Sequence, residues 1–406
     1  MMKKATKTIL KKILPQVAVD LYRRQEAEAA LSDYAKRVRA TNRNGLGSHD
    51  CGPARAVEVA TRWLCRAQDY ATPRDGGVAR HFSLNTGWSP AYPETTGYIV
   101  PTVIRLAELN SDENLRSRAR EMLDWLVEIQ LPEGAYQAGI IGHAPVPVTF
   151  NTGQILLGLS AGARGLDTPA YLEAMHRAAN WLRDTQDDDG CWRKYATPFA
   201  APGEKTYETH VAWALLEAER VSPGNGYGAS GLSQIRWALS KLQPNGWLAD
   251  CCLVNPQQPL THTLGYALRG ILEGYRYTED AELLVAAEQI GNGLAGCIDA
   301  DGRLAGRLDC NWNNAVDWVC LTGSVQIAAN FLDLYGWTTD DKWRTLALRL
   351  NAYVRRTLVT EGDPDVIGGV AGAFPIDGEY GSYEYLNWAA KFMIDSNLQE
   401  LQLASA

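Results

Sequence analysis

Two kinds of apolar segment alternate along residues 50–406. The first kind is amphipathic: ATRWLCRAQDY, EMLDWLVEIQLPEGAY, AANWLRDTQDDDGCW, IRWALSKLQPNGWL, GNGLAGCIDADGRL and NAYVRRTLVTEG, with charges such as Arg116, Arg118, Glu121 and Glu128 gathered on one side. The second kind is apolar around most of its circumference and rich in Gly, Ala and Leu: TGYIVPTVIRLAEL, TGQILLGLSAGARG, ETHVAWALLEAERV, THTLGYALRGILEGY, TGSVQIAANFLDLY and SYEYLNWAAKFMIDS. A stripe predicts a helix with one wet face, and an all-round apolar surface predicts a helix buried on two sides. Aligned on Trp63, Trp125, Trp181, Trp237, Gly293 and Tyr353, the first kind recurs at separations of 62, 56, 56, 56 and 60 residues. From the second copy onward a glycine lies nine residues later (Gly134, Gly190, Gly246, Gly302, Gly362), which is expected to end the helix. Two helices per repeat and six repeats predict an all-α ring with inner and outer helices. We expect one such domain over residues 51–406, with residues 1–50 as a helical N-terminal extension.

Composition fits this picture. Hydrophobic residues make up 46% and charged residues 21%, enough apolar material for a large core. Lys plus Arg number 39 against 47 Asp plus Glu, a formal charge of -8, which argues against nucleic acid as a partner. No run reaches the roughly 18 to 20 apolar residues that cross a bilayer. In MMKKATKTILKKILPQVAVDLYRR, Ile9, Leu10, Ile13 and Leu14 fall on one helical face flanked by Lys4, Lys7, Lys11 and Lys12, a pattern suited to peripheral contact with an anionic membrane. With no signal-peptide core after it, the expected location is cytoplasmic and membrane-peripheral. The eight cysteines include no CxxC pair, so neither a metal nor another cofactor is expected.

The stretch AANWLRDTQDDDGCW resembles the QW-type repeat of squalene and hopene cyclase relatives. The six-hairpin layout resembles the (α/α)6 toroids of six-hairpin glycosidase-like enzymes, which include hydrolases, lyases and epimerases of sugars. Together these resemblances span residues 55 to 400. They imply the architecture, whereas function depends on the groups grafted onto it.

In such a ring the loops entering the inner helices converge at one mouth. Here they read GWSPAYPETTGY, HAPVPVTFNTG, EKTYETHVAW, NPQQPLTHTLGY, DCNWNNAVDWVCLTG and PIDGEYGSYEYLNW. Glu94, Glu208, Asp317 and Glu384 are the candidate catalytic carboxylates, since a glycosidase needs an acid for the leaving oxygen and a second carboxylate for water or attack. A helix cap or first-turn acid would explain each equally well. Sugar rings stack on aromatics and bond amides, which nominates Trp88, Tyr92, Tyr98, Asn151, Tyr207, Trp312, Asn314, Trp318 and Tyr383 as substrate contacts. His262 and His210 are candidate bases. Arg269 with Tyr266 suits a lyase or epimerase that neutralises a sugar carboxylate. Trp213 and Trp388, inside helices, are expected in the core. Asp187, Asp188 and Asp189 do not form the D-x-D-D of alkene-protonating cyclases, and DWVC is a loose echo of zinc prenyltransferase ligands. The expected function is carboxylate acid/base chemistry on an oligo- or polysaccharide, of glycoside hydrolase type, in making or modifying a polysaccharide. The alternatives are a uronic-acid lyase or C5-epimerase, a terpenoid cyclase or prenyltransferase-like toroid, and a non-catalytic glycan-binding ring.

Overall fold

The computed structural model describes residues 29–142 and 144–405. The basic amphipathic segment within the first 24 residues, and His143, lie outside them. Helix α1 (Asp33–Arg43) begins at Ser32, whose hydroxyl accepts from the Ala35 amide and donates to the Leu84 carbonyl, so this part of the extension is fastened to the body. Six amphipathic helices follow: α2 (Pro53–Asp69), α4 (Glu113–Glu128), α6 (Pro169–Asp184), α8 (Tyr227–Leu239), α10 (Ala281–Ala295) and α12 (Asp341–Arg355). They alternate with α3 (Pro93–Asn110), α5 (Thr149–Gly165), α7 (Thr209–Val221), α9 (Thr261–Thr278), α11 (Leu321–Thr338) and α13 (Asn387–Ser405). The second set packs consecutively, and α13 also packs on α3, so the inner ring is closed. Each inner helix rests against the outer helix that follows it, and α13 rests against α2.

The repeat has a physical reason in the turn after each outer helix. The expected stop-signal glycines do not end those helices; α4 ends at Glu128, well before Gly134. They sit in the following turn at positive φ, where a Cβ would strike the carbonyl oxygen of the next outer helix. The distances are 2.4 Å from Gly134 to Arg177, 2.2 Å from Gly246 to Gln289 and 2.2 Å from Gly302 to Arg349. Gly76 plays this part in the first copy against Glu121. In the last copy Gly368, and not Gly362, approaches Val59 of α2, which joins the sixth hairpin to the first. Glutamines tie the same junctions: the Gln130 amide donates to Gly134 and Ala174 carbonyls, and the Gln186 amide to those of Gly190 and Ser230. Gly246→Ala combines a φ of +81° with that backbone collision. We expect it to cost at least about 2 kcal/mol, seen as a lower urea midpoint at unchanged slope.

Five short strands decorate the mouth. β1 (His81–Ser83) pairs antiparallel with β2 (Gly87–Trp88) and with β5 (Glu384–Leu386), and β3 (Val319–Cys320) pairs with β4 (Ala373–Phe374). The β1–β5 pair places Ser83 opposite Glu384 and His81 opposite Leu386, so the first and last entrance loops are hydrogen-bonded together across the closure of the ring. No helix among the described residues is long and apolar enough to cross a membrane.

Candidate active site

The inner helices begin at the mouth, and a cavity of about 180 Å³ opens there between their first turns. Tyr92 caps α3, with Pro93 at its first position and Glu94 in its first turn; proline is pre-set for that place, so the carboxylate is fixed to a rigid element. The Tyr92 hydroxyl hydrogen-bonds to the Glu94 carboxyl and to the Asn151 side chain of α5, whose amide also donates to the Gln137 carbonyl at 3.1 Å. Tyr207, Tyr266, Tyr380 and Trp388 wall the cavity, with Phe199 from the α6–α7 loop at its edge. The indole of Trp388 donates to the Tyr380 hydroxyl at 2.8 Å.

Arg80 brings a cation to this space. Its guanidinium lies 5.2 Å from the Trp388 ring centre and 5.9 Å from that of Tyr92, and it donates to the His81 Nδ1 at 2.9 Å. Glu384 stands behind it at 3.4 Å. Burial holds His81 down at about 4, with Arg80 adding to the effect, so the 3.6 Å approach of its Nε2 to Glu384 is not an ion pair near neutrality. Burial also raises Glu384, against the opposing pull of Arg80.

Glu94 and His262 are tuned in opposite senses. Burial pushes the Glu94 carboxyl up to about 7, although Arg80 and the Tyr92 hydrogen bond favour its charged form. Burial pushes His262 down to about 4. The His262 Nδ1 lies 2.6 Å from the Gln326 Oε1; with that oxygen as acceptor, Nδ1 carries the proton and Nε2 keeps a lone pair. A carboxylic acid and a neutral imidazole in one cavity can donate and accept a proton in the same turnover.

The other candidates are placed differently. Tyr98 is buried and lies beneath the cavity, its hydroxyl bonded to that of Tyr266. Glu208 is buried at 3% exposure with its Oε2 unpartnered among the described residues, but it does not line the mouth cavity; its electrostatic neighbours are Lys205 and Cys191. Asp317 is exposed on a separate groove that Trp318 also lines. Trp88 packs on Trp63 and Phe82 and donates to Asp365. Trp312 reaches outward to the Asn245 carbonyl, Asn314 is exposed, and Tyr383 accepts from Arg39 on α1. His210 and Arg269 line a different cavity, treated below. Glu94 stands in the first turn of α3 and Glu208 at the N-cap of α7 without a side-chain cap hydrogen bond, so both keep the favourable helix-terminus placement of an acid. Asp187 and Asp189 pair with Arg193 in the turn after α6. Trp388 is buried in the core and Trp213 packs against it, as expected, and each also borders a cavity. Arg80 escaped the sequence reading; its one signal is a basic residue beside His81 in an entrance loop.

Glu208 carries a stability prediction. Burial raises its carboxyl from 4.5 to about 8, so its contribution is fully present below the unfolded value of about 4.5 and is lost as pH rises through about 8. Urea titrations should show wild type losing several kcal/mol more than Glu208→Gln between roughly pH 5 and 9, the neutral amide removing that dependence.

No cluster of three metal-ligating side chains occurs among the described residues. A family model for the squalene-hopene cyclase C-terminal domain matches residues 89–268, less than half of the chain. No curated protein matches by sequence. Among solved structures, an unsaturated glucuronyl hydrolase specific for heparin superposes with a TM-score of 0.69 at 16% identity, over 86% of this chain and 97% of that one. The unsaturated glucuronyl hydrolase of Bacillus sp. GL1 gives 0.68 at 13% identity, over 86% and 96%. The cellobiose 2-epimerase of Bacillus thermoamylovorans B4167 gives 0.67 at 12%, over 85% and 96%. At such identities the likeness is one of fold, and the fold is the (α/α)6 toroid of six-hairpin glycosidase-like proteins.

Proposed function

We propose that this chain is a carbohydrate-active enzyme that receives one end of an oligo- or polysaccharide in the mouth cavity and transfers protons between Glu94, as acid, and His262, as base. The observation that carries this reading is the pairing of a carboxyl held up near neutrality with an imidazole held neutral, inside walls of tyrosine and tryptophan. Sugar as the ligand class is supported by the solved structures of like fold, described as glucuronyl hydrolases and a cellobiose epimerase, and by the aromatic and amide lining. Arg80 would complement a carboxylate or a developing enolate oxygen.

Glu94 is the carboxylate that lines the cavity, whereas Glu208 and Asp317 do not and Glu384 is engaged by Arg80. A two-carboxylate glycosidase mechanism therefore lacks its second member there, and proton transfer at carbon, of epimerase or lyase type, fits the groups better. Hydrolysis remains the second reading, with Glu94 protonating the leaving oxygen and His262 taking a proton from water. A terpenoid cyclase would require a drier chamber than one holding Arg80, Glu94 and Asn151.

Turnover of a panel of neutral and uronic oligosaccharides in D2O separates these readings. Deuterium at a substrate carbon supports an epimerase, a new reducing end accompanied by a carbon–carbon double bond supports a lyase, and a new reducing end without unsaturation supports the second reading. Activity on no member of the panel would refute both. With either chemistry, kcat/KM should be flat between about pH 4, where His262 gains its proton, and about pH 7, where Glu94 loses its own, and should fall tenfold per unit outside.

A further inference from the structure

A cluster of rings stands between the mouth cavity and a second one, with Tyr98 lining both: the Tyr98 and Phe392 ring centres lie 5.6 Å apart, and that of Tyr266 lies 4.4 Å from those of His210 and His262. The second cavity lies toward the C-terminal ends of the inner helices and measures about 170 Å³. That is roughly ten times the space one water needs, and comparable to the mouth cavity.

Its chemistry differs from that of the mouth. Lys391, 5% exposed, pairs with Asp395 at 2.7 Å, and Arg269 is held by Glu273 at 2.5 Å and Asp333 at 2.6 Å with its Nε left unpartnered. Arg105 stands at the rim, bonded among the described residues to the neutral Gln402 amide oxygen at 2.9 Å. Among the described residues that line the wall, Asp395 is the acid and Lys391, Arg269 and Arg105 the cations, with Glu273 and Asp333 behind Arg269, and Arg105 without an acidic partner. His210 is 1% exposed, and neither of its ring nitrogens has a partner among the described residues. Those nitrogens are closed off from the cavity, so the imidazole contributes its ring edge to the wall and no hydrogen bond to an occupant. Trp213, with Arg269 stacked 4.9 Å from its ring centre, and Phe392 provide apolar walls.

We infer that this lower cavity is a second ligand site, distinct from the mouth, which takes a small carboxylate of sugar-acid size. Lys391 and Arg105 hold the anion, and Trp213 and Phe392 cover the carbon skeleton. Burial and the nearby Arg269 and Arg105 hold the Lys391 amine below its usual value, despite Asp395, and an added anion would shift it back upward.

The test is calorimetric titration of the full chain with glucuronate, with glucose as the neutral control, on wild type, Arg80→Gln, Lys391→Met and Arg105→Met. Arg105→Met is partly exposed and guards against misfolding of the buried variant; circular dichroism checks both. We expect sub-millimolar glucuronate binding, at least tenfold weaker glucose binding, a loss of tenfold or more in Lys391→Met or, if that variant is unfolded, in Arg105→Met, and retention of this site in Arg80→Gln, which removes only the separate component held at the mouth. Binding lost in Arg80→Gln but kept in the other variants would place the anion in the mouth and overturn the inference. So would equal affinity for glucose, or the absence of glucuronate binding. Failure here leaves the mouth reading standing, because no turnover is measured.

Discussion

Glu94→Gln is expected to lower turnover of the oligosaccharide substrate by about 10²–10⁴-fold while leaving its affinity within a few-fold. The amide keeps the size of the side chain and its hydrogen bonds to Tyr92, and it removes only the transferable proton. Burial keeps that proton on Glu94 up to about pH 7, and this is the property a general acid needs near neutrality. Glu384→Gln makes the control. It releases Arg80 from its partner at 3.4 Å and should act chiefly on KM, because Arg80 positions substrate and does not exchange protons. Equal losses of kcat in both variants would remove the distinction between acid and anchor.

The largest expected change in stability belongs to a residue far from either cavity. Arg355, at the end of α12 and 5% exposed, donates to both oxygens of Asp50 at 2.7 and 2.8 Å. It also donates to Asn397 and Glu400 of α13, each at 2.8 Å. It therefore ties the segment before the first hairpin to the last helix, at the seam where the ring closes. Removing one member of a buried charged network leaves the others desolvated and unpaired, so Arg355→Met should cost about 3–5 kcal/mol, measured by urea unfolding. Neutralising both acids in Asp50→Asn with Glu400→Gln, on the Arg355→Met background, should recover part of that loss, since the uncompensated charges are then gone.

The ring was legible because its period is carried by residues with one possible role. A turn glycine pressed on the next helix's carbonyl admits no other residue, so Gly134, Gly246 and Gly302 mark the copies even where the tryptophan anchor becomes Gly293. The site was only half legible. Glu94 and Glu208 both stand at the start of an inner helix, yet each residue turns a helix by about 100°, and the difference in register aims Glu94 into the channel and Glu208 toward Lys205. Inner helices apolar all round show no periodicity that separates a channel face from a packed one, so the sequence placed Trp213 and Trp388 in the core without showing that each also borders a cavity. Arg80 reaches the mouth through the pairing of β1 with β5, some three hundred residues away in sequence, a contact that no local pattern encodes. The α10–α11 loop has an entrance-like composition, but Trp312 and Asn245 fasten it outward, and its amides and Asp317 leave the mouth with it.

The most direct measurement is a crystal structure of Glu94→Gln soaked with an oligosaccharide that the wild-type protein turns over. The account predicts a sugar ring lying against Tyr92 and Trp388, with its reacting atom within hydrogen-bond reach of the side chain at position 94 and of the His262 Nε2. A mouth cavity left empty while the sugar occupies another place on the ring would contradict it.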